Sequence, residues 1–131
     1  MLTLQNLGWS IDERRNPLRF DAVKTLTGSR MFGVEWETGN VSSSHRAINR
    51  FLRGYHEGRL VGGALIVPTR ALYQYLTDRV GNLEELQPYF GLWKATIAWK
   101  DGVLAIIAVE HDGTDPGVPR ISKGTDGRAL V

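Results

Sequence analysis

The sequence predicts an α/β (α+β) fold: a mixed central β-sheet, made of an antiparallel meander plus a crossover strand and flanked by helices. Three observations carry that prediction. Residues 8–37 read as short strand-like runs broken by turn signals, the pattern of neighbouring antiparallel strands. Residues 42–56 then switch to a helical period. Directly afterwards "GGALIVP", residues 62–68, is short and apolar on both faces, as a central strand covered on both sides would be.

The elements follow in order. "GWSIDERR" and "LRFDAVKTL" are strands around Asn16-Pro17, a turn dipeptide, and "TGSR" turns the chain into a third strand, "MFGVEWE". From 42 to 56, Ala47, Ile48, Phe51, Leu52 and Tyr55 fall on one helical face. Ser42, Ser43 and Ser44 offer N-caps, and Gly54 or Gly58 marks the exit. On the other face Arg46, Arg50 and Arg53 recur at intervals of four and three, a stripe that suits DNA contact and equally suits plain solvation. The strand ending at Pro68 is parallel to one already placed, which implies a right-handed crossover.

Thr69 caps a helix over "RALYQYLTDRV", with Leu72, Leu76 and Val80 facing inward. "NLEELQPYF" is a short turn of helix stopped by Pro88, and "KATIAW" and "VLAIIAVE" form a hairpin about "KDG". The remainder, "HDGTDPGVPRISKGTDGRALV", is rich in Gly, Pro and charge and reads as a loop or flexible arm.

A chain of 131 residues holds one core, so a single domain is expected over 1–112, followed by a flexible or loop-like basic tail over 113–131. Apolar content of 42% and charged content of 23% are those of a globular protein and exclude a disordered one. The absence of cysteine excludes disulfides and cysteine-ligated zinc and fits a cytoplasmic protein. No apolar run has the length of a membrane span, and "MLTLQNLGWS" lacks the layout of a signal peptide. Net charge is only +2, but arginine dominates the basic set, and its planar fork can bond two phosphate oxygens at once.

The chemistry concentrates at the end of the third strand. Alternation puts Glu35 and Glu37 on one face, and pairing with the preceding strand through the turn near 27–29 brings Asp21 close to Glu35. Three carboxylates gathered at a sheet edge repel one another unless a divalent cation neutralises them. Hard oxygen ligands in that number suit Mg²⁺ or Mn²⁺, which can polarise a phosphate and activate a water. Acids on the exposed face of an edge strand are also common, and E-x-E alone is a weak signal.

The wider context is more specific. An aspartate precedes V-K, and a hydrophobic strand leads to E-x-E-x-G-N. A helix with aromatic and arginine positions follows, then a glycine-flanked apolar strand ending in "VPTR" and another helix. This ordered set, over residues 8–93, resembles the nuclease core of the PD-(D/E)xK superfamily, and more narrowly the BglII- and BamHI-type restriction endonucleases. The resemblance implies a Mg²⁺-dependent endonuclease (Mn²⁺ substituting) that hydrolyses phosphodiester bonds of double-stranded DNA. Asp21, Glu35 and Glu37 would be catalytic and bind metal, with the Trp36 carbonyl as a further oxygen. Glu37 stands where most of the superfamily has lysine, an exchange found in the BamHI/BglII branch.

Cleaving both strands of a duplex symmetrically implies a homodimer. The alternatives are a non-catalytic DNA-binding or assembly module on the same scaffold, or a structure-selective nuclease of the junction-resolvase kind. His45, Arg46 and Arg50 near the acids, and Arg120 and Lys123 in the tail, are the candidate DNA contacts. His56, the cluster Glu110, His111 and Asp112, and the aromatics Trp93 and Trp99 read as surface or core residues.

Overall fold

The computed structural model describes residues 3–11, 18–96 and 100–130. Five strands, β1 (Ser10–Ile11), β2 (Ala22–Thr25), β3 (Met31–Trp36), β4 (Leu60–Pro68) and β5 (Val103–Val109), form one sheet in the order β1-β2-β3-β4-β5. The first three pair antiparallel; β3–β4 and β4–β5 pair parallel. Among the described residues there are four α-helices, α1 (Val41–His56), α2 (Arg70–Tyr73), α3 (Leu83–Leu86) and α4 (Phe90–Thr96), besides short 3-10 turns. The mixed sheet with helices on it is the fold class read from the sequence.

The core lies between the sheet and α1. Ala47, Ile48 and Phe51 of α1 are buried, as its apolar face requires, and meet Leu65 and Val67 of β4. Two glycines let aromatic rings settle closely on the sheet. A Cβ on Gly63 would lie 2.2 Å from the Phe51 ring, and one on Gly33 would lie 2.9 Å from Phe20. Phe20 and Phe51 stack with centroids 4.4 Å apart. Leu104 and Ile106 of β5, with Phe90 and Trp93 of α4, pack against the margin of that core.

Local chemistry corrects several expectations. The second strand begins at Ala22 rather than Leu18, because Arg19 adopts a left-handed backbone (φ 55°) and the chain drops Leu18 and Phe20 into the core instead. The first expected strand is described only at its start; residues 12–15 lie outside the described part. The α1 N-cap is Asn40, whose side chain accepts from the Ser42 and Ser43 N–H groups at 3.0 and 3.3 Å, so the three serines sit inside the first turn. Gly58, with φ 69°, provides the exit, while Gly54 makes room for Leu60.

Thr69 does cap α2, accepting from Leu72 N–H at 3.2 Å, but the helix ends at Tyr73 rather than running to residue 80. The C-terminal segment takes the carbonyls a longer helix would have used. Ala129 N–H donates to the Thr77 carbonyl at 2.7 Å, and the Lys123 ammonium donates to the Leu76 carbonyl. Pro88 starts a helical segment rather than stopping one. It stands in a 3-10 turn at 87–89 that leads into α4, a position where its missing N–H is not needed.

Residues 94–96 accordingly close α4 and do not open a strand, and Thr96 bonds back to the Leu92 carbonyl at 2.8 Å; residues 97–99 lie outside the described part. With no hairpin partner at 94–96, β5 pairs parallel to β4 after a helical connection, from Gly62↔Val103 to Pro68↔Val109.

Candidate active site

The register explains how the acids are gathered. Ala22 pairs with Val34, so one residue further on Asp21 faces Glu35 across the β2–β3 edge. The Asp21 carboxylate accepts the Trp36 N–H at 2.6 Å, which fixes it beside the end of β3. Glu35 and Glu37 point to the same side as Gly33, toward α1, and each is only 7% exposed. They line an open cavity of about 710 Å³ together with Arg19, Ser43, Arg46, Arg50 and Arg53. The mouth of the site is therefore cationic and its floor anionic.

Each acid already has a protein donor. Glu35 Oε1 lies 3.3 Å from Arg50 Nη2, and Glu37 Oε1 accepts the Gly39 N–H at 2.6 Å. Burial holds the Glu37 carboxyl above the ordinary glutamate range. The Gly39 N–H and the charges of Arg46 and Arg50 pull it back, while Asp21 pushes in the same direction as burial. Asp21 is thus within electrostatic reach of Glu37 without sharing a cage with it. Among the described residues no three His, Asp or Glu side chains are gathered as a preassembled metal cage. The donor set is nevertheless that of a hard divalent cation: carboxylate oxygens on adjoining strands, two of them buried.

Gly39 is a supporting residue that the sequence pattern displayed without explaining. A Cβ there would lie 2.5 Å from Ser43 Oγ and 2.9 Å from Glu37 Oε1. Gly39→Ala should therefore displace Glu37 or the first turn of α1. Its melting temperature should fall by only a few degrees, because the change lies outside the core. A crystal structure of the variant beside thermal unfolding checks this, and an unmoved Glu37 and first turn would show that the loop yields freely.

Of the other candidate residues, Arg46 lines the cavity and its Nη2 donates to Ser43 Oγ at 2.7 Å. Arg50 turns inward to Glu35 rather than lying on an outer stripe. His45 sits edge-on to Tyr89 and Trp93, with centroids 4.5 and 5.3 Å away, and so joins an aromatic cluster. Arg120 lies over the Tyr75 ring and Lys123 over the Tyr73 ring; both brace the C-terminal segment against residues 73–78, and neither lines the acidic cavity. Arg19 and Asn49 also line the cavity; Arg19 contributes through a left-handed backbone that no motif signals.

Comparison with known proteins gives a consistent picture. The family model described as restriction endonuclease BamHI matches residues 2–128. The type II restriction enzyme OkrAI of Oceanobacter kriegii is 48% identical over 136 aligned positions, which take in 99% of this chain and 69% of that enzyme. The type II restriction enzyme BamHI of Bacillus amyloliquefaciens is 40% identical over 95 positions, 72% of this chain and 42% of that enzyme.

Proposed function

Because the chain belongs to the BamHI family of type II restriction endonucleases, we propose that it is a Mg²⁺-dependent endonuclease that hydrolyses phosphodiester bonds in double-stranded DNA. Asp21, Glu35 and Glu37 would bind the metal, with the Trp36 carbonyl as a further oxygen. The observation that supports this best is the pair of buried acids on one strand face, opening into a cavity rimmed by Arg46, Arg50 and Arg53. Burying two carboxylates there opposes folding, and such an arrangement is expected where the charges meet a cationic ligand.

Arg46 and Arg53 would hold the DNA backbone by charge and by paired hydrogen bonds to phosphate oxygens. Mg²⁺, when bound, polarises the scissile phosphate and lowers the pKa of its water. Glu37 would orient that water as it attacks phosphorus. The water oxygen would form the new P–O bond as the bond to the leaving oxygen breaks; the water's proton would pass to solvent, the leaving oxygen would take a proton from solvent, and no covalent enzyme intermediate would form. A two-fold homodimer would present one such site to each strand. No described helix is long and apolar enough to cross a membrane.

A non-catalytic DNA-binding module on this scaffold is the second reading, favoured by the protein donors that already meet Glu35 and Glu37. Melting curves bear on the choice. Mn²⁺ or Mg²⁺ should raise the melting temperature by mass action, and Asp21→Asn should remove most of that shift. A curve indifferent to either cation in the unsubstituted protein would contradict the metal reading.

A further inference from the structure

Arg50 does more than rim the cavity. Its Nη2 lies 3.3 Å from Glu35 Oε1 and its Nη1 3.5 Å from Oε2, so one prong of the fork faces each carboxylate oxygen. The same Nη1 donates to the backbone carbonyl of Arg19, which the left-handed turn at that residue presents. The guanidinium also lies over the Phe20 ring, 5.3 Å from its centroid, and Phe20 is fully buried against Phe51. An acid, a carbonyl and a buried ring thus hold one cation in place, on the carboxylate whose oxygens a metal would need.

We propose that Arg50 is a positioning residue, the internal counter-ion of Glu35. In the free protein it would compete with a divalent cation for that carboxylate, and a DNA phosphate entering the cavity would draw it away. The inference rests on the reading of Glu35 as a metal ligand. A guanidinium and a divalent cation on one carboxylate repel each other strongly in a partly buried site. The cation is therefore bound more tightly once Arg50 finds another anion, and a phosphate matches its planar fork. DNA and metal then strengthen each other's binding, and by linkage the strengthening is reciprocal.

A simple brace makes the opposite prediction. If Arg50 only holds Glu35 in position, removing it leaves the carboxylate misplaced and weakens metal binding. Competition means that removing it tightens metal binding, so the sign of the change separates the two roles.

The experiment is Mn²⁺ titration of the whole chain without DNA, read from the electron paramagnetic resonance signal of free Mn²⁺, for the unsubstituted protein, Arg50→Gln and Glu37→Gln. Arg50→Gln should bind Mn²⁺ about tenfold more tightly than the unsubstituted protein. In parallel, the strengthening of binding to a short mixed-sequence duplex by Ca²⁺ should shrink in Arg50→Gln. Equal or weaker Mn²⁺ binding by Arg50→Gln overturns the proposal. It leaves the metal reading standing if the unsubstituted protein binds Mn²⁺ and Glu37→Gln does not. Absence of Mn²⁺ binding in both the unsubstituted protein and Arg50→Gln overturns both. If circular dichroism shows Arg50→Gln unfolded, Arg50→Lys, which keeps the charge but loses the fork, takes its place: a smaller tightening supports competition, and no tightening overturns it.

Discussion

Glu37→Gln should reduce DNA cleavage by on the order of 10²–10⁴-fold while leaving metal-free DNA affinity, measured in EDTA, within a few-fold of the unsubstituted protein. The amide is nearly isosteric and its carbonyl oxygen can still accept the Gly39 N–H, so the loop to α1 keeps its bond. Only the negative charge is lost. Under the proposed function affinity for DNA would reside mainly in arginines, and removing a buried anion beneath them would not weaken it. Single-turnover cleavage and equilibrium binding, measured side by side, test the split. Full cleavage by Glu37→Gln would make this residue a structural acid at a strand end.

The same residue sets a pH dependence. In the metal-free protein burial raises the Glu37 pKa, so a proton competes with the cation up to a higher pH than at an ordinary glutamate. Mn²⁺ affinity should fall as pH drops through that raised value. An acid with its folded pKa above its unfolded one binds more protons when folded, so its contribution to stability grows as pH falls. Glu37→Gln should remove that acid-side gain and be no less stable than the unsubstituted protein at neutral pH.

Phe51→Ala should destabilise the protein by about 3–5 kcal/mol and lower the melting temperature by roughly 10–20 °C. Its ring fills the space left by the missing side chain of Gly63 and stacks on Phe20, both deep in the core. Truncation therefore leaves a cavity in the packed core. Loss of the stack also loosens Phe20, on which the Arg50 guanidinium rests, so metal affinity should change alongside stability. Leu92→Ala, at a residue 60% exposed, is the control and should change stability by no more than about 0.5 kcal/mol. Equal effects of the two substitutions would contradict the placement of the core.

What could be read in advance followed local periodicity. The alternation through "MFGVEWE" placed Glu35 and Glu37 on one face, and the helical period over 42–56 identified the side of α1 that is buried. The turn at 27–29 set a register that brought Asp21 opposite Glu35. What could not be read depended on distant parts of the chain. The run after Thr69 is helical only to Tyr73, and Lys123 and Ala129, some fifty residues on, bond the Leu76 and Thr77 carbonyls that a longer helix would have used. Lys94, Ala95 and Thr96 suggested the opening of a strand, yet Pro88 had already started a helical path that runs through these three residues. Arg46, Arg50 and Arg53 look alike in a stripe; only the packing of Phe20 and the left-handed turn at Arg19 set Arg50 apart.

Cleavage of a long mixed-sequence DNA, with Mg²⁺ and with EDTA, tests the central claim most directly. The acidic floor and arginine rim predict discrete fragments in Mg²⁺, none in EDTA, and none in Mg²⁺ from Glu37→Gln at the same concentration. Intact DNA in Mg²⁺ under conditions where the protein binds it, or equal fragmentation in EDTA, would contradict it.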